Sequence, residues 1–227
     1  HPMRIKSARV AIMKNTKSIQ FFRDPAIKGV EVSKVEASRH VFPKHAHDNI
    51  FAFSLITAGA SYCLGKENSD LTVNKGEIVT LNPGQVHSGI PVAGRPISYW
   101  MLYTDIETMM EFSGDVFEKG GIVPEFKSMV MNNPIIATHF LNLVRSYEKQ
   151  SDSLKKEILL NEFFARLLRS ACDTRRITGP EGCANISINI ARDLLSVNLD
   201  IGITLDCVAK KVGLSSIHFI RQFKRHT

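Results

Sequence analysis

The chain has 227 residues, 44% of them apolar, and it carries a formal net charge of +7. This length allows one large or two modest globular domains. The chain contains no run of about eighteen or more apolar residues, which excludes a membrane-spanning helix. The four cysteines form no CxxC or CxH grouping, which argues against a structural zinc site and a disulfide framework and favours a reducing cytoplasm. The positive charge is compatible with a polyanionic partner such as nucleic acid.

Residues 30–104 consist of short apolar or alternating segments separated by turns. Four of these segments read NIFAFSLITAG, DLTVNKG, EIVTLNPG and PISYWMLYTD. Asn and Gly tolerate positive φ, so NKG and NPG mark turns between strands. The rhythm predicts an all-β sandwich or barrel, and we assign residues 1–104 to a β-barrel with an N-terminal arm.

Residues 105–172 change to a helical pattern, and we predict a helical extension that serves dimerisation. Pro134 suits a first helical turn, and the apolar residues after it recur at helical spacing. A second helix carries a broad apolar stripe that could cover the sheet, pair with a partner subunit, or do both. The predicted apolar positions are Ile136, Phe140, Val144 and Tyr147 in the first helix, and Leu154, Ile158, Phe163, Leu167 and Ala171, flanked by Leu160, Phe164 and Leu168, in the second.

Residues 173–186 are polar and contain Gly179, Pro180 and Gly182, so we predict an interdomain linker there. Residues 187–227 follow as short helices. Near their end, Thr204 and Ser215 are suitable N-caps of two successive helices separated by Gly-containing turn residues. This pattern predicts a helix-turn-helix, whose second helix can enter the DNA major groove.

The histidines of HVFPKHAHDNIF and NPGQVH form a candidate site. Alternate residues of a strand share a face, so His45 and His47 are expected to point together, with His87 on a later strand. These segments resemble the two motifs of the cupin barrel superfamily. Metal-binding cupins also carry a glutamate after the histidine pair, whereas residues 49–53 contain no acid. The pattern therefore favours hydrogen-bonded pocket histidines over metal ligands, and neither a metal nor another cofactor is expected.

The order of these parts resembles an AraC-type transcriptional regulator over nearly the whole chain. The most specific pieces are VAKKVGLS with FIRQFKRHT, and the series HAHD, GEIVTLNPGQVHSG and YWMLY. The resemblance implies an α+β protein, with an N-terminal cupin-like β-barrel and flanking helices followed by an all-α helix-turn-helix domain. It also implies a homodimer, a small-molecule effector, operator DNA and, for an activator, RNA polymerase.

The family's DNA-contacting positions match residues near the end of this chain. Ile217, Ile220 and Arg221 match base-facing positions of the first recognition helix, while Lys224 and Arg225 match its backbone-contacting end. Ser216, at the start of this helix, is also assigned to DNA binding. The family continues past FKRHT with a second helix-turn-helix, so the resemblance predicts only the first one here and weak or no specific operator binding.

Two functions follow from these patterns. In the first, a ligand-responsive regulator binds a small metabolite with Arg39, His45, His47, His87 and Trp100. Arg39 either contacts a ligand carboxylate or is an exposed charge, and Trp100 either stacks on a ligand ring or only packs in the core. The alternative is a metal-dependent cupin enzyme of the dioxygenase or isomerase type. We favour the non-enzymatic reading and assign no catalytic residue, because the sequence lacks a nucleophile elbow, a phosphate-binding glycine loop and a catalytic carboxylate pair.

Overall fold

The computed structural model describes residues 19–64, 70–118 and 123–172, together with Val208. The predicted linker at 173–186 lies outside these ranges. So does the predicted helix-turn-helix at 187–227, apart from Val208, which is helical and buried. The domain boundaries and the DNA-contacting residues assigned in that region therefore remain predictions.

The described residues form ten strands, a short 3-10 helix and three α-helices. The strands are β1 (Ile19–Phe22), β2 (Val30–Ser38), β3 (Phe42–His45), β4 (Ile50–Ala58), β5 (Ala60–Leu64), β6 (Asp70–Asn74), β7 (Ile78–Leu81), β8 (His87–Pro91), β9 (Ile97–Asp105) and β10 (Val130–Met131). The α-helices are α1 (Ile106–Phe117), α2 (Pro134–Glu148) and α3 (Ser153–Ala171), and the 3-10 helix is Val92–Gly94. The predicted strands and the predicted change to helices after residue 105 are confirmed. None of these helices is long and apolar enough to cross a membrane.

The strands pair in antiparallel fashion into two sheets. One has six strands in the order β1-β2-β9-β4-β7-β10, and the other has four in the order β3-β8-β5-β6. Among the described strands no ladder joins the two sheets. They therefore do not close into the predicted β-barrel but form two sheets that face each other across a cavity.

Each α-helix begins at a side chain that accepts a backbone N–H. Asp105 accepts from the N–H of Thr108 at 2.8 Å to cap α1, and Asn133 accepts from two N–H groups at the start of α2. Asp152 accepts from the N–H of Lys155 at 2.9 Å to cap α3. Short polar acceptors of this kind satisfy donors that the first helical turn leaves unpaired, which fixes where each helix starts.

The main core lies between the six-stranded sheet and the helices. β4 and β9 each direct one set of alternate side chains into this layer, where they meet the apolar faces of α2 and α3. The four residues predicted to share one face of α2 are all buried, which confirms that prediction. The largest fully buried rings of the layer are Phe51, Phe53, Phe126, Phe140, Phe163 and Phe164.

The apolar stripe of α3 lies partly elsewhere than predicted. Phe163, Leu167, Leu160, Phe164 and Leu168 are buried, as expected. Leu154 and Ile158, however, are 66% and 49% exposed, and Lys156 is buried in the same helical turns. The physical reason is an ion pair, since Lys156 Nζ lies 2.7 Å from the carboxylate of Asp24 and turns this part of the helix toward the segment that follows β1.

Asp24 attaches the chain after β1 to α3. Its carboxylate accepts hydrogen bonds from Lys156 at 2.7 Å and from the hydroxyl of Ser153 at 2.9 Å. The hydrogen bond from Lys156, aided by those from Ala26 and Ser153, holds the pKa of Asp24 below its ordinary value. The N-terminal arm is thus fixed to the last α-helix before the predicted linker.

Candidate functional site

A cavity of about 150 Å³ lies between the two sheets. Its walls are mostly apolar, with aromatic rings from Phe21, Phe42, Tyr99 and Tyr103. Cavities of this size can accept a molecule as large as a single six-membered ring. The polar part of the lining is concentrated around three histidines.

His45, His47 and His87 converge at this polar end. The Cα atoms of His45 on β3 and His87 on β8 are direct partners in the antiparallel pairing. The ring centroids of these two residues are 4.2 Å apart, and that of His47 lies 5.0 Å from His45 and 5.1 Å from His87. His47 lies just after the end of β3. The position of its ring beside the other two histidines therefore depends on the path of the following loop and not on strand alternation.

The NPG turn before β8 holds this loop in place. Gly84 has a φ of +72°, a conformation that glycine adopts without strain. Its N–H donates to the carbonyl of His47 at 2.8 Å, and the amide side chain of Gln85 accepts from the backbone N–H of Asn82 at 3.1 Å. The turn therefore brings His87 and His47 to the same place from segments 40 residues apart in the chain.

Two of the imidazoles have one nitrogen engaged by the backbone. His45 Nδ1 lies 2.7 Å from the carbonyl oxygen of Pro43, and His87 Nδ1 lies 2.9 Å from that of Gln85. A carbonyl oxygen only accepts, so each Nδ1 carries the hydrogen and donates it. In the neutral form of either ring, Nε2 is then left with a lone pair.

Burial keeps two of these rings uncharged at neutral pH. Desolvation, followed by the nearby His45, lowers the pKa of His47 to about 4. Desolvation, again with His45 next in importance, lowers the pKa of His87 to about 3. The cluster thus offers neutral nitrogen acceptors to whatever enters the cavity.

These three histidines could also hold a metal ion. Their candidate ligand atoms all lie within 4.8 Å of one another. Within the described part of the chain, no carboxylate belongs to this group, in agreement with the acid-free stretch after the histidine pair. Glu31 does line the cavity, but it is ion-paired with Arg23.

The structure places Trp100 and Arg39 outside the cavity. Trp100 belongs to the core on the helix side of β9, with its ring centroid 5.8 Å from that of Phe22 and Lys34 Nζ 5.5 Å from its own. Arg39 is exposed and is not among the lining residues. The assignment of both to the pocket therefore does not fit their placement. Trp100 lies on the face of β9 that meets the helices, whereas the residues beside it in the strand face the cavity.

Sequence reasoning missed the side chains that line the cavity in place of Trp100. Tyr99, Met101 and Tyr103 alternate with it on β9 and face the cavity. Their alternation was visible in PISYWMLYTD, but both faces of that strand are apolar, so the pattern could not say which one faces inward. Ile19 and Phe21 of the arm also line the cavity.

The described residues thus form two facing sheets with a cavity between them and helices on one side. A family model described as the AraC-like ligand binding domain matches residues 28–164. That is more than half of the chain, and the chain therefore belongs to this family. The predicted resemblance to AraC-type regulators is confirmed.

This chain is also similar to individual proteins. The uncharacterized HTH-type transcriptional regulator YbfI of Bacillus subtilis (strain 168) is 24% identical over 213 residues, which cover 92% of this chain and 74% of YbfI. Among solved structures, an apo form of ToxT from Vibrio cholerae with a lysine-to-alanine substitution has a TM-score of 0.48 at 14% identity, covering 88% of this chain and 94% of ToxT. The AraC-like transcriptional activator CuxR has a TM-score of 0.44 at 11% identity, covering 91% of this chain and 80% of CuxR.

Proposed function

We propose that this protein is a ligand-responsive transcriptional regulator of the cytoplasm. A small metabolite binds in the cavity between the two sheets and controls DNA binding by residues 187–227. The observation that carries the proposal is the cavity itself, a mostly apolar space with three histidines at one end, in a chain of the AraC-like ligand-binding family.

The contacts of the arm support a route from the cavity to the DNA-binding region. Ile19 and Phe21 of β1 line the cavity, and Asp24, just after β1, is paired with Lys156 of α3. A ligand that contacts β1 therefore acts on a segment fixed to the helix that precedes residues 173–186. Control requires that the ligand bind two global states with different affinity, and a shift of β1 against α3 supplies two such states.

We further propose that the regulator acts as a homodimer. Three large apolar side chains on the outer face of the helices are about half exposed or more. They are Ile135, Leu154 and Ile158. A second copy that covers these side chains removes their apolar surface from water, which favours association. The proposed division of the chain is an effector domain at 1–104, a dimerisation region at 105–172, a linker at 173–186 and a helix-turn-helix from 187.

DNA contacts are proposed for the recognition helix near the end of the chain. Arg221 suits a bidentate contact to guanine, and Lys224 and Arg225 suit phosphates. Ser216, Ile217 and Ile220 complete the proposed set, and RNA polymerase is a further partner if the protein is an activator.

A metal-dependent cupin enzyme is the second candidate, favoured by the histidine cluster alone. The relatives named above are described as transcriptional regulators, which favours the first. An enzyme would consume the compound that binds in the cavity, whereas a sensor returns it unchanged.

The proposed regulation is tested by measuring DNA binding with and without effector. A thermal-shift screen of small metabolites identifies compounds that stabilise the chain, since binding to the folded state raises its melting temperature. Duplexes selected from a random pool at low salt are then titrated in mobility-shift assays. We expect a saturating effector to change the DNA affinity by roughly 5- to 150-fold, the usual range of allosteric coupling.

The matched variants are Arg221→Ala and, as a control in the same chain, Arg145→Ala on α2. We expect Arg221→Ala to weaken binding to the selected duplexes, and Arg145→Ala to leave it unchanged. Equal DNA affinity with and without an effector that demonstrably binds the chain would refute the proposal.

A further inference from the structure

We propose that the cavity between the two sheets selects a small uncharged phenol, a single aromatic ring whose hydroxyl group donates a hydrogen bond to the histidine cluster. This ligand class rests on the proposed function, because the cavity must be the effector site. The size, the charge and the hydroxyl group of such a ligand each follow from a separate feature of the lining.

The volume and the walls of the cavity suit one aromatic ring. The cavity measures about 150 Å³, and an apolar cavity of about this volume accommodates benzene. Its walls include the rings of Phe21, Phe42 and Tyr99 and the thioethers of Met101 and Met129. Aromatic rings and methionine sulfur both make favourable contacts with a further aromatic ring. A sugar, in contrast, would leave most of its hydroxyl groups without partners against these walls.

The lining disfavours a charged ligand. Among the described residues that line the cavity, none is a lysine or an arginine, and the one carboxylate, that of Glu31, is paired with Arg23. Desolvation lowers the pKa of His47 to about 4 and that of His87 to about 3, so neither ring supplies a positive charge at neutral pH. A carboxylate or an ammonium group would therefore be buried here without a counter-ion, at a large cost in free energy.

The histidines present acceptors, so the ligand must bring a donor. Nδ1 of His45 and Nδ1 of His87 lie 2.7 Å and 2.9 Å from backbone carbonyl oxygens, to which they donate. In the neutral rings Nε2 is then an acceptor. The two ring centroids are 4.2 Å apart, and that of His47 lies 5.0 Å and 5.1 Å from them. A hydroxyl group at this end donates to Nε2, whereas a hydrocarbon leaves a buried acceptor unpaired.

The histidines and the aromatic wall are close enough for one molecule to contact both. The ring centroid of His47 lies 6.0 Å from that of Tyr103. Tyr103, Met101 and Tyr99 alternate along β9 and face the cavity. Side chains two residues apart on a strand are separated by roughly 6.5–7 Å, and a single substituted ring spans about that distance. A phenol whose hydroxyl group meets the histidines therefore lays its ring against this wall.

Isothermal titration with three ligands of similar size tests this selection. Phenol, toluene and benzoate carry a hydroxyl donor, no polar group and a negative charge, respectively, on the same ring. At neutral pH, with EDTA present to remove metal ions, we expect phenol to bind the full chain at one site. Toluene should bind at least about tenfold more weakly, because it leaves an acceptor unpaired. Benzoate should also bind at least about tenfold more weakly than phenol, because its charge is buried without a partner.

Replacing the two oriented acceptors shows which groups select the ligand. The double variant His45→Leu and His87→Leu should lose most of the preference for phenol over toluene. Toluene should bind this variant at least as tightly as it binds the wild type, which also shows that the cavity is intact. His139→Leu is the matched control and should keep the full preference, because His139 lies on α2 and outside the cluster. If circular dichroism shows that the double variant is unfolded, His87→Leu alone takes its place.

Phenol that does not bind, or that binds no more tightly than toluene or benzoate, would overturn this ligand class. A preference for phenol that persists without the two histidines would overturn it too. So would phenol binding that EDTA abolishes, because an ion and not an imidazole would then hold the hydroxyl group. In each of these cases, a compound of another class that binds the chain and changes its DNA affinity would leave the proposed function standing.

Discussion

At the residue scale, the character of the site comes from histidines that remain neutral. Desolvation dominates the pKa of both His47 and His87, and it outweighs the hydrogen bond from His87 Nδ1 to a backbone carbonyl, which acts to raise the pKa. Neutral imidazoles in an apolar cavity discriminate by hydrogen bonding and by coordination rather than by charge. Tyr99 has the same property, because burial raises the pKa of its hydroxyl to about 12 and keeps it a donor.

The lowered histidine pKa values predict that the metal-free protein loses stability in mild acid. In the unfolded chain both rings take up a proton below about pH 6.5, whereas in the folded chain His47 and His87 do so only near pH 4 and pH 3. Their contribution is therefore full above pH 6.5 and is lost as the pH falls toward 4 and below. We expect a cost on the order of 2 kcal/mol for each of the two rings at pH 5.

Denaturant unfolding of the metal-free chain at pH 7 and pH 5 measures this loss. The double variant His47→Gln and His87→Gln is expected to show a clearly smaller difference between the two pH values, and His139→Gln the full difference. The carboxylate of Asp24, whose pKa is lowered, contributes only at still lower pH. An equal pH dependence in the double variant and the wild type would show that other groups are responsible.

The three histidines could be found from the sequence because their spacing and the NPG turn carry the information. The two backbone acceptors that orient them, the carbonyls of Pro43 and Gln85, could not be, since they depend on the path of the loop. Trp100 shows the other limit. Alternation groups the residues of a strand into two faces, but it does not say which face meets the cavity when both are apolar.

At the element scale, α3 packs against the six-stranded sheet and is the last helix before residue 173. One face packs Phe163 and Phe164 against the sheet and the other helices, and Lys156 at its edge pairs with Asp24. The opposite face leaves Leu154 and Ile158 in solvent. The helix therefore has an inner face that packs against the domain and an exposed outer face, which we propose binds a second copy.

Replacing Leu154 and Ile158 together with serine is expected to weaken self-association at least about tenfold, because large apolar residues at the centre of an interface contribute most to its affinity. Both side chains are about half exposed or more, so the free energy of unfolding of one copy should change by less than about 0.5 kcal/mol for each. Sedimentation equilibrium measures the association.

The control is the double variant Lys155→Ser and Glu157→Ser, which changes exposed polar positions in the same turns. It should associate as the wild type does. If the apolar double variant associates equally well, the dimer forms through another surface.

The strands and helices followed from the sequence wherever one periodicity held over many residues. β4, β9, α2 and α3 are such elements, and their caps and turns lie at Asn, Asp and Gly residues that the sequence displays. β1 was missed because it is four residues long and its burial depends on pairing with β2. The partial error in α3 has the same origin, since the buried pair of Lys156 and Asp24 joins residues 132 positions apart.

At the scale of the whole molecule, the two sheets enclose a cavity and the arm connects it to the helices. The six-stranded sheet separates the cavity from the main core, so a ligand can act on β1 and the histidine loops without disturbing the packing of the phenylalanine rings. The proposed control of DNA binding by a small molecule rests on this arrangement.

The central claim, that the cavity is the effector site, is tested most directly by filling it. Ser54 lines the cavity, and Thr138 lies on the exposed side of α2, so Ser54→Phe and Thr138→Phe add the same ring inside and outside. Isothermal titration of compounds found by thermal shift should give binding at one site per chain in the wild type and in Thr138→Phe. Ser54→Phe, shown to be folded by circular dichroism, should bind them at least about tenfold more weakly, a difference of about 1.4 kcal/mol. Unchanged affinity in Ser54→Phe would contradict the account.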